Sequence, residues 1–288
     1  MSATHSTPTA ALLAQALLAY QHNVDTAVHW AHPSWLAAAL DIDTARAEAL
    51  RHMLPEATAT GAVRDISRHL VRAVGIASPD LERLLEGRAG MLDMLPPQLG
   101  LNVLRMRALR FRRAEVRRVV DKRTRQRLTQ WTGTTPETLA ERWPGEAAAP
   151  DIDQLAGCMP IRPIAALDAE ALALEGHALW RREVAAPVIA PSGRMEPHRS
   201  EPFRAAAATA CGDGFCPMLR LALPRNDAAG PDGHEPGAAA MRAGSGEYWI
   251  SGLATLEKAS GVRIDAHGGA GLIAQLPRWL PEWAWLFG

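Results

Sequence analysis

Three cysteines in 288 residues, Cys158, Cys211 and Cys216, are too few and too odd in number for a disulfide framework. That excludes the small disulfide-stapled secreted class and points to the cytoplasm. No stretch offers the ~20 uninterrupted apolar residues of a membrane span. The opening MSATHSTPTAALLAQALLAY has no Lys or Arg ahead of its apolar run, so it lacks the basic start of a signal peptide and reads as a first helix. Net charge is missing too. The 31 basic and 31 acidic residues cancel, which argues against a generic polyanion binder. Aromatic residues are scarce apart from nine Trp, while Ala and Leu dominate, so composition favours helix over sheet.

Recognisable reactive chemistry is absent as well. The chain has no GxSxG elbow, no HExxH and no Walker loop. Its glycine clusters, Gly244-Ser245-Gly246 and Gly268-Gly269-Ala270-Gly271, lack the preceding strand that a phosphate cradle needs. Asp41 with Asp43, and Asp151 with Asp153, sit where helix caps belong. His29 and His32 stand three apart, but Pro33 breaks the helix that would align them and no third ligand is near, so HWAHPSW reads as packing at a helix junction. Cys211 and Cys216 form a single C-x4-C in low-complexity sequence, with His198, His234 and His267 as imaginable partners; two free thiols in a mobile loop is the plainer reading. No catalytic residue, metal ligand or cofactor is assigned, and the chain is not expected to be an enzyme.

What is present is a concentration of positive charge. Met91 to Gly133 holds eleven of the basic residues against Asp93, Glu115 and Asp121 alone. Pro96-Pro97 stands before a long helical pattern with Leu101, Leu104, Ala108 and Phe111 on one face, continued by Val116, Val119 and Val120. Arg107, Arg110, Arg113, Arg117 and Arg118 cover the other side. Such a face has three readings. It is a solvated surface, a phosphate-contacting surface over 105–127, or a docking face for an acidic protein, where arginine suits bidentate carboxylate pairing. The neutral total and the lack of a nucleic-acid-binding motif favour the protein partner, with those five arginines as contacts. The terminal WLPEWAWLFG is hard to leave in water. It closes the protein's own core or anchors a partner, with Trp279 and Trp283 as the candidate anchors.

The pattern predicts a mainly α fold with a few short strands allowed. Residues 1–9 read as a flexible start, 10–185 as a helical domain, 186–246 as a largely disordered Pro/Gly-rich insertion, and 247–288 as a Trp-rich segment packing on the domain or a partner. Helices are expected at 10–22, after Pro33 with Ser34 as cap, at Thr44–Met53, at Asp65–Val74 with Gly75 as cap, from Ser78-Pro79, and from Thr135-Pro136. Others are expected over Asp151–Met159, Leu167–Val184 and Glu247–Lys258. MLRLALP (218–224) suits a short strand, and Pro277 and Pro281 limit the last helix to short pieces. Pro33, Trp35 and Leu36 hold the scaffold.

An N-terminal helix, then HPSWL (32–36), then LeuProPro (95–97) entering an Arg-rich helix that closes at TrpThrGly (131–133), resembles the SctK/YscK and HrpB-type accessory proteins of bacterial type III secretion systems. The resemblance covers roughly 10–180 and extends to about the last twenty residues. It implies a non-enzymatic cytoplasmic adaptor of the sorting platform at the inner membrane's cytoplasmic face. Its implied partners are the SctD-type ring protein and the SctQ-type pod protein, and through the pods SctL and the SctN ATPase. It implies no nucleic acid and no membrane span.

Overall fold

The computed structural model describes residues 10–54, 61–77, 88–143, 150, 152–158, 161–185, 215–225, 246–260, 264–265 and 268–287. Residues 1–9, the helix start at Ser78-Pro79 and most of the 186–246 insertion lie outside them. The described residues are helical and contain no strand. In order they form α1 (Ala10–Asp25), α2 (Ala27–Trp30), α3 (Pro33–Leu40), α4 (Thr44–Met53) and α5 (Gly61–Ala73). A 3-10 segment (Arg88–Met94) precedes α6 (Pro97–Phe111), α7 (Arg113–Val116), α8 (Lys122–Thr132), α9 (Pro136–Ala140), α10 (Ile152–Cys158) and α11 (Ala169–Ala185). Then come α12 (Pro217–Arg220), α13 (Gly246–Ser260), α14 (Gly268–Trp279) and α15 (Ala284–Phe287).

Local chemistry sets many of these boundaries. Asp43 accepts the Arg46 amide at 2.8 Å to start α4, and Thr135 accepts the Thr138 amide ahead of Pro136 to start α9. Asp168 does the same for α11 through Ala171. Gly133 ends α8 at φ 73°, in the left-handed region where a side chain would be strained. At α3 the cap is His32 and not Ser34: its Nδ1 accepts the Ser34 amide, and Pro33 takes the first helical position. The long basic helix divides into three. Arg112 leaves helical geometry at φ −84°, ψ 19°, and the 117–121 loop separates α7 from α8 because Asp121 caps a new helix through the Thr124 amide at 2.7 Å. Pro277 lies within α14 near its end instead of stopping it.

By its contacts the chain divides into two compact units, neither continuous in sequence. The first comprises Met1–Gly100, Glu196–Arg225 and Leu276–Gly288; the second, Leu101–Met195 and Asn226–Gln275. In the first, α1 packs on α5 and on the 3-10 segment, and Val28, Leu36, Ala37, Ala47 and Val63 form a small core. The apolar island expected as a strand is α12 with a following turn. Phe215 to Leu221 and Leu223 are almost all buried in this unit. Leu219 fills the space over Gly100, where an added Cβ would stand 2.6 Å from a leucine methyl.

The second unit is built on two helices with little exposure. Residues 103–111 of α6 and 171–180 of α11 are buried throughout. Phe111, Leu179, Trp249 and Leu253 join Ile152 and Leu155 in its core, with α13 packed along α11. Gly176 lets α11 approach α6 closely: a Cβ there would lie 1.8 Å from the Leu104 carbonyl oxygen, which is rigid backbone. Replacing Gly176 with alanine should therefore lower stability by about 1–3 kcal/mol despite alanine's better helix propensity. A thermal melt as stable as wild type would show that the helices do not need this approach.

Candidate protein-interaction surface

The expected arginine face is not one surface. Arg107 has no exposed side-chain area and pairs with Asp265 at 2.6 Å and Glu183 at 3.4 Å. Arg110 is buried, with its guanidinium 3.5 Å above the Trp143 ring and Nη1 donating to the Leu139 and Glu141 carbonyls, each at 2.5 Å. Arg113 is 3 % exposed. These three residues, read from the sequence as solvent-facing docking contacts, are interior groups. The reason is physical: residues 103–113 are buried throughout, so their polar stripe meets protein instead of water. Arg117 and Arg118 remain exposed. Arg117 donates Nε and Nη2 to the Ala140 carbonyl, at 3.1 and 2.7 Å, and Arg118 pairs with Asp153.

Sequence reasoning missed the most tightly held arginine. Arg112 is fully buried and grips Glu175 with two parallel bonds, Nε to Oε1 at 2.5 Å and Nη2 to Oε2 at 2.8 Å. Its Nη1 also reaches Glu115 at 2.9 Å and the Arg162 carbonyl at 2.9 Å. Burial alone would lower the guanidinium's pKa, but Glu175 and Glu115 outweigh it and hold the charge firmly on Arg112. Glu115 in turn accepts the Ile164 amide at 2.7 Å. The available signal was the Glu175-Gly176-His177 interruption of the apolar stretch between Ala171 and Trp180. An acid in that setting needs an internal partner.

Within the first unit the HPSWL residues are packed. Trp35 is 6 % exposed and donates Nε1 to the Leu223 carbonyl at 2.8 Å, and the Arg220 guanidinium lies 5.3 Å from its ring centroid. Leu36 is in the small core. At the C-terminus Leu280, Leu286 and Phe287 are buried, and α15 packs on α1 and on the 3-10 segment. Trp279 and Trp283 are half-buried, and the Trp283 ring lies 5.9 Å from that of Trp285.

Asp93 is buried in this unit and accepts the Leu219 amide at 2.8 Å and the Met218 amide at 3.3 Å. Burial raises its pKa to about 7, outweighing the two donors that favour the carboxylate. Cys216, expected as a thiol in a mobile loop, is instead buried at the start of α12 with φ 43°. Burial first, then the Asp93 charge, pushes its pKa up. Among the described residues no group of three or more His, Cys, Asp or Glu side chains could hold a metal ion, and no helix is long and apolar enough to cross a membrane.

An outer edge of exposed cations follows α7. Arg117, Arg118, Lys122, Arg123 and Arg125 are exposed around Val119 and Val120, and Arg125 pairs with Glu137. Beside them a groove of about 340 Å³ is lined by Val116, Arg117, Val119, Arg125, Pro136 and Ala140, with Glu137 and Glu141. Charged side chains around apolar ones suit contact with another macromolecule better than reaction chemistry.

The described chain is thus a helical protein with an internal arginine network and a basic, partly apolar outer edge. The family model for the bacterial type III secretion protein HrpB4 matches residues 7–195, and the chain belongs to that family. No curated protein and no solved structure matches it.

Two outcomes follow from the buried charges. Truncating Arg112 to alanine should cost about 3–5 kcal/mol, because Glu175 is left charged and unpaired, whereas Arg112→Met with Glu175→Leu should be far milder. Urea unfolding of the three variants measures both, and an Arg112→Ala protein as stable as wild type would show the pair to be immaterial. For Asp93 the folded pKa of about 7 exceeds the ordinary 3.8, so the folded state binds the extra proton. Its stabilising contribution is full below the unfolded value, declines as pH rises, and is lost through about pH 7. Asp93→Asn should therefore gain stability relative to wild type between pH 4 and 7.5; parallel melts whose difference stays constant across that window would contradict this.

Proposed function

We propose that this type III secretion protein is a non-enzymatic cytoplasmic adaptor of the sorting platform, linking the SctD-type inner-membrane ring protein to the SctQ-type pod protein. The observation that carries this is the family match across residues 7–195 of a helical chain. Burial of Arg105, Arg107, Arg110, Arg112 and Arg113 adds support for a protein partner over phosphate contacts, since five of the cations that would have met a nucleic-acid backbone are enclosed within the protein. In this reading Arg117 and Arg118 keep a docking role, and the half-buried rings of Trp279 and Trp283 offer apolar anchors; Arg107, Arg110 and Arg113 belong to the interior of their own unit. The protein would act at the cytoplasmic face of the inner membrane, reaching SctL and the SctN ATPase only through the pods.

Affinity-tagged chain expressed in its own host should retain both the ring protein's cytoplasmic domain and the pod protein after washing, and deleting its gene should stop secretion. Retention of neither, with secretion intact in the deletion strain, would end the adaptor reading.

A further inference from the structure

The 117–125 edge has a composition that its own fold does not use. Val120 is 86 % exposed, the most exposed large apolar side chain among the described residues, and Val119 beside it is half-buried. A β-branched pair in an exposed loop contributes little to folding here. Cations surround it. Arg118 has 53 % and Arg125 45 % of its side-chain area exposed, and Arg117, Lys122 and Arg123 are exposed as well.

Three nearby carboxylates are already engaged, while Glu141, exposed at the groove, makes no ion pair among the described residues. Asp121 caps α8 through Thr124, which holds its pKa below the usual carboxylate value, while Glu137 faces Arg125 and Asp153 faces Arg118. Neither Lys122 nor Arg123 makes a side-chain ion pair among the described residues. Lys122 and Arg123, the latter within electrostatic reach of Asp121, therefore keep charge for something outside the chain, and the groove lined by Val116, Val119, Pro136 and Ala140 together with Arg117, Arg125, Glu137 and Glu141 offers a partly apolar seat next to them. Arginine-rimmed apolar patches are the usual composition of a protein interface, and opposite charge on the partner supplies orientation and encounter rate.

We propose that this groove and the Val119–Arg123 loop dock an acidic segment of a partner protein, one that places an apolar side chain between carboxylates. The apolar side chain packs on Val119 and Val120, and the carboxylates meet Lys122, Arg123 and the outer faces of Arg117 and Arg118. The proposal names the recognition chemistry of a surface within the adaptor reading, on which it rests.

The test uses full-length chain and two labelled synthetic peptides followed by fluorescence anisotropy. One repeats Glu-Glu-Leu and the other repeats Glu-Glu-Ser. The Leu peptide should bind and should weaken as salt rises. Val120→Ser, and separately Lys122→Glu with Arg123→Glu, should each weaken it about tenfold, roughly 1.4 kcal/mol. Met53→Ser, at an apolar residue that is 73 % exposed but far along the chain, should leave it unchanged. Circular dichroism confirms that each variant keeps its helices.

Equal binding of the Ser peptide would reduce the edge to a polyanion binder and overturn the proposal, as would indifference of the Leu peptide to both loop variants. A Val120→Ser change that turns a dimer into a monomer in sedimentation would give the patch to a second copy instead, which also overturns it. The wild-type capture of ring and pod proteins stands apart from these measurements, so failure here leaves the adaptor reading intact, and failure there leaves a groove without its assembly.

Discussion

The second unit depends on how a charged guanidinium survives inside it. Arg112 has no exposed side-chain area, so its charge has lost water on every side. Removing an ion from water costs several kcal/mol, and only well-aligned partners offset it. Glu175 supplies two such bonds, Glu115 a third and the Arg162 carbonyl a fourth. This arrangement fixes more than one pair. Glu175 must lie opposite Arg112, which sets the register of α11 against α6, and Gly176 next to it then meets the Leu104 carbonyl with no room for a side chain. Glu115 in turn holds the Ile164 amide, so the chain that leads into α11 is tied to the same cluster. Arg107 repeats the device with Asp265 and Glu183, and Glu183 also accepts the Gly269 and Ala270 amides at the start of α14.

In the first unit the comparable problem is unpaired backbone. The 215–225 segment is buried without a strand or long helix to satisfy its amides and carbonyls, and buried backbone groups need partners. Side chains distant in sequence supply them. Asp93 takes the Met218 and Leu219 amides, Trp35 gives Nε1 to the Leu223 carbonyl, and the His32 amide donates to the Leu221 carbonyl at 2.7 Å. Asn23 performs the same service for the 3-10 segment and the residue after it, donating to the carbonyls of Asp93 and Leu95. Polar side chains in this unit act as substitutes for secondary structure.

Features governed by near neighbours were legible in the sequence. The helical class, the Thr44–Met53 helix, the Thr135-Pro136 start and the end of a helix at Gly133 all follow from caps, prolines and periodicity, and the structure has each. What could not be read is what lies far along the chain. Arg107 finds Asp265 across 158 residues and Arg112 finds Glu175 across 63, so a periodicity that places arginine opposite leucine on α6 looks identical whether water or protein covers it. The island at 218–224 misled for a related reason. Its apolar run was compatible with a strand, but its Pro217 and Pro224 ends leave room for only one helical turn, and its burial is decided by Asp93 and Trp35. Of the candidate site, the cation cluster was visible and its partition was not.

That partition has a consequence for how such a protein can recognise anything. Arg105, Arg107, Arg110 and Arg112 are held by carboxylates and carbonyls of their own unit and Arg113 is buried beside them, while Arg117, Arg118, Arg123 and Arg125 are exposed. The inner set has fixed geometry, and the loop that carries the outer set leaves directly from it through α7. Arg117 is itself tethered to the Ala140 carbonyl, so the valines after it begin from a restrained point. A flexible arginine face would lose side-chain entropy on meeting a partner; a face whose base is already bonded has less to lose. Charge in this segment therefore does two separate jobs, and they must stay separate. An arginine that moved from the inner set to the surface would leave Glu175 or Asp265 without its counter-charge, so the fold itself limits how much of this charge a partner can claim.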